Sequence, residues 1–554
     1  MAPDQTNSSR GRRAASAPRP QRASGPPSPG PTAALAWETV LDLGAGPGPL
    51  HGRLENAVRE AVHLGRVPPG AALPPSRVLA DTLGVSRWVV TEAYGQLVAE
   101  GFLESRTGSG TRVPLTAEAH PLRGARAGST PENAAGRATR HQPTVGVAGL
   151  IDVAASADHG AGAGTGDART AAGAGRRATS SGRGSGARAR FDLGPGVPDL
   201  RHVPRAAWVR ALRDALAAAP DADLAAPDPT GHPATRAALA DYLARARHVR
   251  AGGGDVVVTH GADDAMRRVA AALHRAGHRA LLVEDPSWSR LRETAAAAGL
   301  TPVPVPVDGD GIDVEALLAA AGRTGARAVL VTPAHQFPTG AALSPARREA
   351  LVRWARDVDG LVVEDDYDAE FRYDRRPVAA MQGLAPDRVV LLGSLSKTLS
   401  PAFGLGWAVL PPGWRDTVVD RGGAGPSTLD QLALARFVTS GAYERHLRAA
   451  RGRFRRRREA LVEALGKELP GTLTGIAAGM HAVVELPGGV EATDVVREAA
   501  LREVNVAAVE RYRATAAGRD GGRDRLVVGY GNLADARVEE AVARLAAAVR
   551  AAGR

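Results

Sequence analysis

Between residues 256 and 410, short apolar runs alternate with stretches of helical spacing, and few folds accommodate that pattern. The runs fall at 256–259, 280–284, 302–307, 328–332, 361–364, 389–392 and 406–410. Apolar residues at a period near 3.6 fill most of the gaps, for example at 263–276 and 345–357. Apolar strands separated by amphipathic helices predict an α/β layer around a mostly parallel sheet. After about residue 430 the pattern changes to a long arginine-rich helix, a strand near 482–486, a helix near 490–503, a strand at 525–530 and a terminal helix. That order predicts a smaller α+β domain packed on the first.

The chain has 554 residues, enough for two or three domains. Residues 114–190 are rich in Ala, Gly, Arg, Ser and Thr, which is linker composition. As a flexible coil this stretch would span roughly 45–50 Å. Residues 1–34 read as a disordered tail. The net charge of +11 is concentrated in these two segments, with +4 in residues 1–30 and +5 in residues 114–190. Residues 31–113 carry −1, so charge alone does not mark them as a nucleic-acid binder. The chain has no cysteine, which excludes disulfides and thiolate metal sites and suits a reducing cytoplasm. No apolar run reaches about 18 residues, so no membrane span is expected.

The N-terminal part has its own grammar. Helical spacing at 53–64 is followed by a short helix opening at Leu73-Pro74-Pro75-Ser76-Arg77, with Ser76 a candidate N-cap. Gly84-Val85-Ser86 makes a turn, and Ser86 caps a third helix at 87–100. Helix, glycine turn and helix make a helix-turn-helix. The segment Arg106-Thr107-Gly108-Ser109-Gly110 then reads as the tip of a hairpin wing. Arg87 starts the candidate recognition helix, where side chains reach base edges. Thr91 lies one turn on, and Arg77 suits a phosphate or a guanine edge. Solvated helix arginines are the simpler reading of any one of these residues, but not of the ordered set.

Lysine usage sharpens the second part. Only Lys397 and Lys467 are lysines, among 70 lysines and arginines. Lysine forms a Schiff base once deprotonated; arginine does not. Lys397 ends Gly393-Ser394-Leu395-Ser396-Lys397 directly after an apolar run, whereas Lys467 has the setting of a surface lysine. Other groups precede Lys397 at strand ends, where α/β sheets keep their ligands. Gly261-Ala262-Asp263 opens a helix whose amides can cradle a phosphate. Trp288 offers an indole for stacking, and Asp365-Asp366-Tyr367 offers carboxylates and a phenol. Such acids also suit Mg²⁺, but no phosphate-loop lysine motif accompanies them, and no metal site is expected.

Residues 73–113 resemble the winged helix-turn-helix of GntR-type bacterial regulators. Residues 191–554, with the strings HQFPTG, EDDYDAEFRY and GSLSKTLSP, resemble fold-type I aminotransferases. Joined, they resemble the MocR/GabR-type subfamily of GntR regulators. The resemblance implies a winged helix at 35–113, a linker, a large aminotransferase-like domain at 191–430 and a small one at 431–554. It implies pyridoxal 5′-phosphate as cofactor, a homodimer, a double-stranded DNA operator, and an amine or amino-acid effector. Lys397 would join the cofactor aldehyde. Asp365 would pair with the pyridine nitrogen, and Tyr367 with the ring's phenolic oxygen. Trp288 would stack, and Ser394 with the Ala262 and Asp263 amides would hold the phosphate. Arg290 and Arg525 would bind a ligand carboxylate. Arg77, Arg87, Thr91, Arg106 and Thr107 would touch DNA. Gly404 stands where the family usually has a phosphate-binding arginine, which implies a weaker grip, and Asp263-Asp264 stands where glutamines are usual. The alternatives to a cofactor-responsive regulator are an active aminotransferase with an accessory DNA-binding module and a cofactor-free dimerisation domain.

Overall fold

The computed structural model describes residues 37–41, 43–44, 48–106, 110–114, 189–225, 227–373, 378–419, 425–514 and 524–554. All of them belong to one compact unit. The expected tail at 1–34 and almost all of the expected linker at 114–190 fall outside the described residues.

The N-terminal module contains α1 (Leu50–His63), α2 (Ser76–Leu83) and α3 (Arg87–Glu100), followed by the antiparallel wing strands β1 (Glu104–Arg106) and β2 (Gly110–Arg112). The turn between α2 and α3 forms because Gly84 adopts φ +62°, a left-handed conformation that ends α2 without a side-chain clash. Ser86 then accepts from the Val89 amide and starts α3, as its sequence context predicts. Ser76 does not cap α2. Pro75 precedes the helix, Ser76 is its first residue, and the Ser76 hydroxyl accepts from Arg87 Nε at 3.4 Å. Leu54, Val58, Leu79, Val90 and Leu97 close the core of the module, which extends to Ala379 and Leu384 of the following domain.

The large sheet comprises β3 (Val256–Thr259), β4 (Ala280–Asp285), β5 (Thr301–Asp308), β6 (Gly311–Ile312), β7 (Ala328–Val331), β8 (Leu361–Asp365), β9 (Val389–Ser394) and β10 (Gly406–Val409). Their spatial order is β3-β10-β9-β8-β7-β4-β5-β6. The five strands from β9 to β5 are mutually parallel; β10 is antiparallel to both of its neighbours. β7 is apolar throughout, and β9 is apolar up to its final serine, because helices cover both sheet faces. On β5, Pro302, Pro304 and Pro306 alternate with valines, and the missing amides cost little near the sheet edge. α4 (Ala262–Arg275) follows β3 on one face, and α5 (Pro345–Asp357) packs on the other.

A second sheet, of order β11-β12-β14-β13, contains β11 (Leu473–Thr474), β12 (His481–Glu485), β13 (Ala507–Ala508) and β14 (Arg525–Gly529). The 27-residue helix α6 (Ala442–Glu468) leads into it. Fully buried arginines lock these parts together. Arg457 donates to Asp199, Asp535 and the carbonyls of Tyr530 and Gly531. Arg348 donates to three backbone carbonyls, those of Leu343, Ala379 and Pro333. No helix among the described residues is long and apolar enough to cross a membrane.

Candidate functional site

Two sites emerge, a surface on the N-terminal module and a cavity at the ends of the large sheet's strands. On the module, Arg77, Arg87 and Thr91 are exposed, with Arg87 at the first turn of α3. Trp88 beside it is 62% exposed, packed edge-on against His51. The wing places Arg106 on β1; Thr107 lies outside the described residues.

The cavity has a volume of about 340 Å³. Its walls include Lys397, Asp365, Tyr367, Trp288, Ser394, Ala262, Asp263 and Arg290, eight of the nine cofactor and ligand residues named from sequence. The ninth, Arg525, is not on its wall. It begins β14 opposite Glu485, whereas the cavity meets the other end of the second sheet at Met480 and His481.

Two strand ends build the catalytic-looking core. β8 delivers Asp365, buried to 92%, with Oδ1 unpartnered. Burial, reinforced by the charge of Asp366, pushes its carboxyl up to about 7. Asp366 itself points away into a bidentate pair with the fully buried Arg247, at 2.8 and 2.9 Å. β9 delivers Ser394, and the turn after it presents the Lys397 amine. Lys397 Nζ donates to the carbonyl of Gly196 at 2.6 Å and sits 5.8 Å from the centre of the Trp288 ring. Burial lowers its pKa, opposed by the carboxylates of Asp365 and Asp368. Gly196 adopts φ +96°, which disfavours any side chain, and a Cβ there would lie 2.8 Å from Lys397 Nζ and displace the amine. Trp288 is held by an edge-on contact with Phe337 and a stacked one with Tyr512.

Tyr367 donates its hydroxyl to the His335 carbonyl at 2.9 Å, and Asp368 bonds His335 Nδ1 at 3.0 Å. His335, Asp368 and His481 bring potential metal-ligating atoms within 4.8 Å of one another. The sequence reading did not anticipate this grouping, and the His335–Asp368 hydrogen bond already joins two of its members. At the other end, the first turn of α4 presents amides that an α-helix leaves without intrahelical partners. Both acids of that turn are matched by arginines. Asp264 binds Arg267, Arg268 and the His260 amide, and Asp263 pairs with Arg290.

These residues fit pyridoxal phosphate chemically. A buried carboxyl oxygen without a partner calls for a donor, which a pyridinium N–H supplies. An amine, an aromatic plate and a helix N-terminus surround the same space.

Residues 50–113 match the family of bacterial regulatory proteins, gntR family, and residues 190–545 match aminotransferase class I and II. The probable rhizopine catabolism regulatory protein MocR of Rhizobium meliloti is 30% identical over 84% of this chain and 87% of its own length. The HTH-type pyridoxine biosynthesis transcriptional regulator PdxR of Corynebacterium glutamicum is 31% identical over 87% of this chain and 91% of its own. Pyrococcus horikoshii kynurenine aminotransferase shares the fold with a TM-score of 0.59, covering 65% of this chain and 91% of that one at 24% identity. Fold and matches together define a DNA-binding transcriptional regulator whose larger part has the fold of pyridoxal-phosphate-dependent aminotransferases. The chain belongs to the MocR-type regulators within the GntR superfamily.

Proposed function

We propose that the cavity binds pyridoxal 5′-phosphate, alone or with an amine or amino-acid effector, and that its occupancy controls how a cytoplasmic homodimer presents its winged helices to double-stranded DNA. The observation that carries this reading is the buried, unpartnered Oδ1 of Asp365 in one cavity with the Lys397 amine. When bound, the cofactor supplies an aldehyde carbon for that amine and an electron-poor ring. Burial disfavours the charged form of Lys397 and so favours the nucleophilic one. Asp365 would hold a proton on the pyridine nitrogen, and Trp288 would cover a ring face. Tyr367, whose hydroxyl donates to the His335 carbonyl in this structure, would pair with the ring's phenolic oxygen once the cofactor is bound. Ser394 and the Ala262 and Asp263 amides would hold the phosphate. Residues 35–113 act as the DNA reader, 114–190 as its tether, and 191–430 with 431–554 as the sensor.

Sensing rather than turnover is favoured by the attached winged helix and by relatives named as regulators. Arg525 off the cavity wall removes one expected grip on an amino-acid substrate. Two linked modules can meet half-sites one DNA turn apart, about 34–36 Å. The test is the visible spectrum of the purified protein with the cofactor, together with footprinting of the DNA upstream of its own coding sequence. A visible band that Lys397→Ala lacks, and a footprint that changes on cofactor addition, are expected. No band in cofactor-saturated wild type would overturn the cofactor reading. Rapid transamination of an amino-acid panel would replace the sensor by an enzyme.

A further inference from the structure

Asp263 lies in the first turn of α4, where a phosphate dianion would meet the helix amides. A carboxylate there repels the phosphate, yet it is already bound to Arg290, and both side chains line the cavity. Arg290 is the sole arginine among the described residues on that wall. Its Nε engages Asp263, so the guanidinium is held at the helix end of the cavity rather than beside Met480 and His481. The helix end is not the only sign of a ligand here, because the unpartnered Asp365 Oδ1 opens into the same space. At Gly404 no side chain is available to reach in from the turn after Lys397.

We propose that Asp263 and Arg290 form a phosphate-exchange latch, in which Arg290 leaves Asp263 to grip the phosphate of the bound cofactor. Asp263 is the internal anion that keeps Arg290 at its post in the empty site and competes with the ligand. The latch makes the site selective for the phosphorylated form of the cofactor and sets its affinity. This inference rests on the pyridoxal phosphate reading and assigns Arg290 to the phosphate instead of to an effector carboxylate.

The latch predicts opposite effects from its two halves. Losing a charge-assisted hydrogen bond changes affinity by about ten- to a hundred-fold. Arg290→Gln should weaken pyridoxal phosphate binding by that factor, with Arg290→Lys partly restoring it. Asp263→Asn should strengthen binding, because the competitor is gone. Neither should change the affinity for pyridoxal, which has no phosphate, by more than about twofold. Binding is read from tryptophan fluorescence quenching and the visible band of the full-length protein. The side chains are 63% and 43% exposed, so both substitutions leave the core intact, and circular dichroism checks this. The latch is refuted if wild type binds pyridoxal phosphate and Arg290→Gln binds it equally well, if Asp263→Asn weakens it, or if pyridoxal affinity falls in parallel. Failure of wild type to bind pyridoxal phosphate at all would instead sink the cofactor reading.

Discussion

Replacing Asp365 by asparagine separates what this carboxyl does for a ligand from what it costs the fold. In the cofactor-free protein its Oδ1 is buried without a partner, and its pKa stands at about 7 against 3.8 for the ordinary group. Between those values the native carboxyl keeps a proton that the unfolded chain has released. Stability therefore falls as pH rises through this window. The penalty is absent below the ordinary value and complete above the raised one. A shift of this size at about 1.4 kcal/mol per pH unit makes the full penalty about 4 kcal/mol. Asparagine does not ionise, so cofactor-free Asp365→Asn should melt with wild type near about pH 4 and above it at about pH 8.5. A domain of roughly 350 residues unfolds with an entropy of about 0.7 kcal/mol/K, so the difference should reach about 6 °C. Cofactor reverses the order. Wild type gains about 2.7 kcal/mol at a hundredfold excess over its dissociation constant, while the variant, unable to hold the pyridinium proton, gains little. Scanning fluorimetry across pH, with and without pyridoxal phosphate, reads both effects. A melting difference that does not vary with pH, or equal stabilisation of the two proteins by cofactor, would refute the reasoning.

Arg247→Met leaves Asp366 buried and unpaired, and should cost about 3–5 kcal/mol in urea denaturation, with Arg247→Met/Asp366→Leu recovering part of the loss. On the winged helix, Arg87→Ala should lower operator affinity by about 1–3 kcal/mol and relax preference at one base pair. Arg77→Ala, if it removes a phosphate contact, should weaken all sequences alike and reduce the salt slope by about one, as read by fluorescence anisotropy.

The sheet was legible because its strands are compact apolar runs, several of which end in polar residues at the carboxyl end. Asp365, Ser394 and the glycine turn at Gly261 are each the point where such a run stops. The same logic located Trp288 and Tyr367, which follow strand ends within a few residues. What was not legible joins the site from far along the chain. Gly196 meets Lys397 across 201 residues, and His481 arrives from the second sheet. A lone glycine or histidine has no periodicity, and only the folded path brings it near. The pairing of Asp263 with Arg290, 27 residues apart, was hidden for the same reason. Arg525 was misleading in a different way: its place before an apolar strand is visible, but not which end of that strand faces the cavity. Ser76 was lost to Pro75, whose fixed φ suits the position before a helix and leaves the serine one place too late to cap.

The scarcity of lysine acquires a physical meaning from the folded chain. Arginine occupies the buried cationic posts where charge must persist and several oxygens must be served at once. Arg247 serves a bidentate carboxylate and a carbonyl, Arg348 three carbonyls, and Arg457 two carboxylates and two carbonyls. A guanidinium is suited to those posts because it stays protonated and forks. The two lysines divide between opposite settings. Lys467 is exposed, bridging to Glu463 one helical turn away at 2.8 Å, a task arginine performs as well. Lys397 faces a single carbonyl oxygen, and a Cβ on the opposing Gly196 would be 2.8 Å from its nitrogen. A guanidinium in that place would keep its proton. The amine can lose one, and burial pushes it in that direction. At the one cavity position where the proposed chemistry needs an amine that can lose its proton, the chain departs from its default cation.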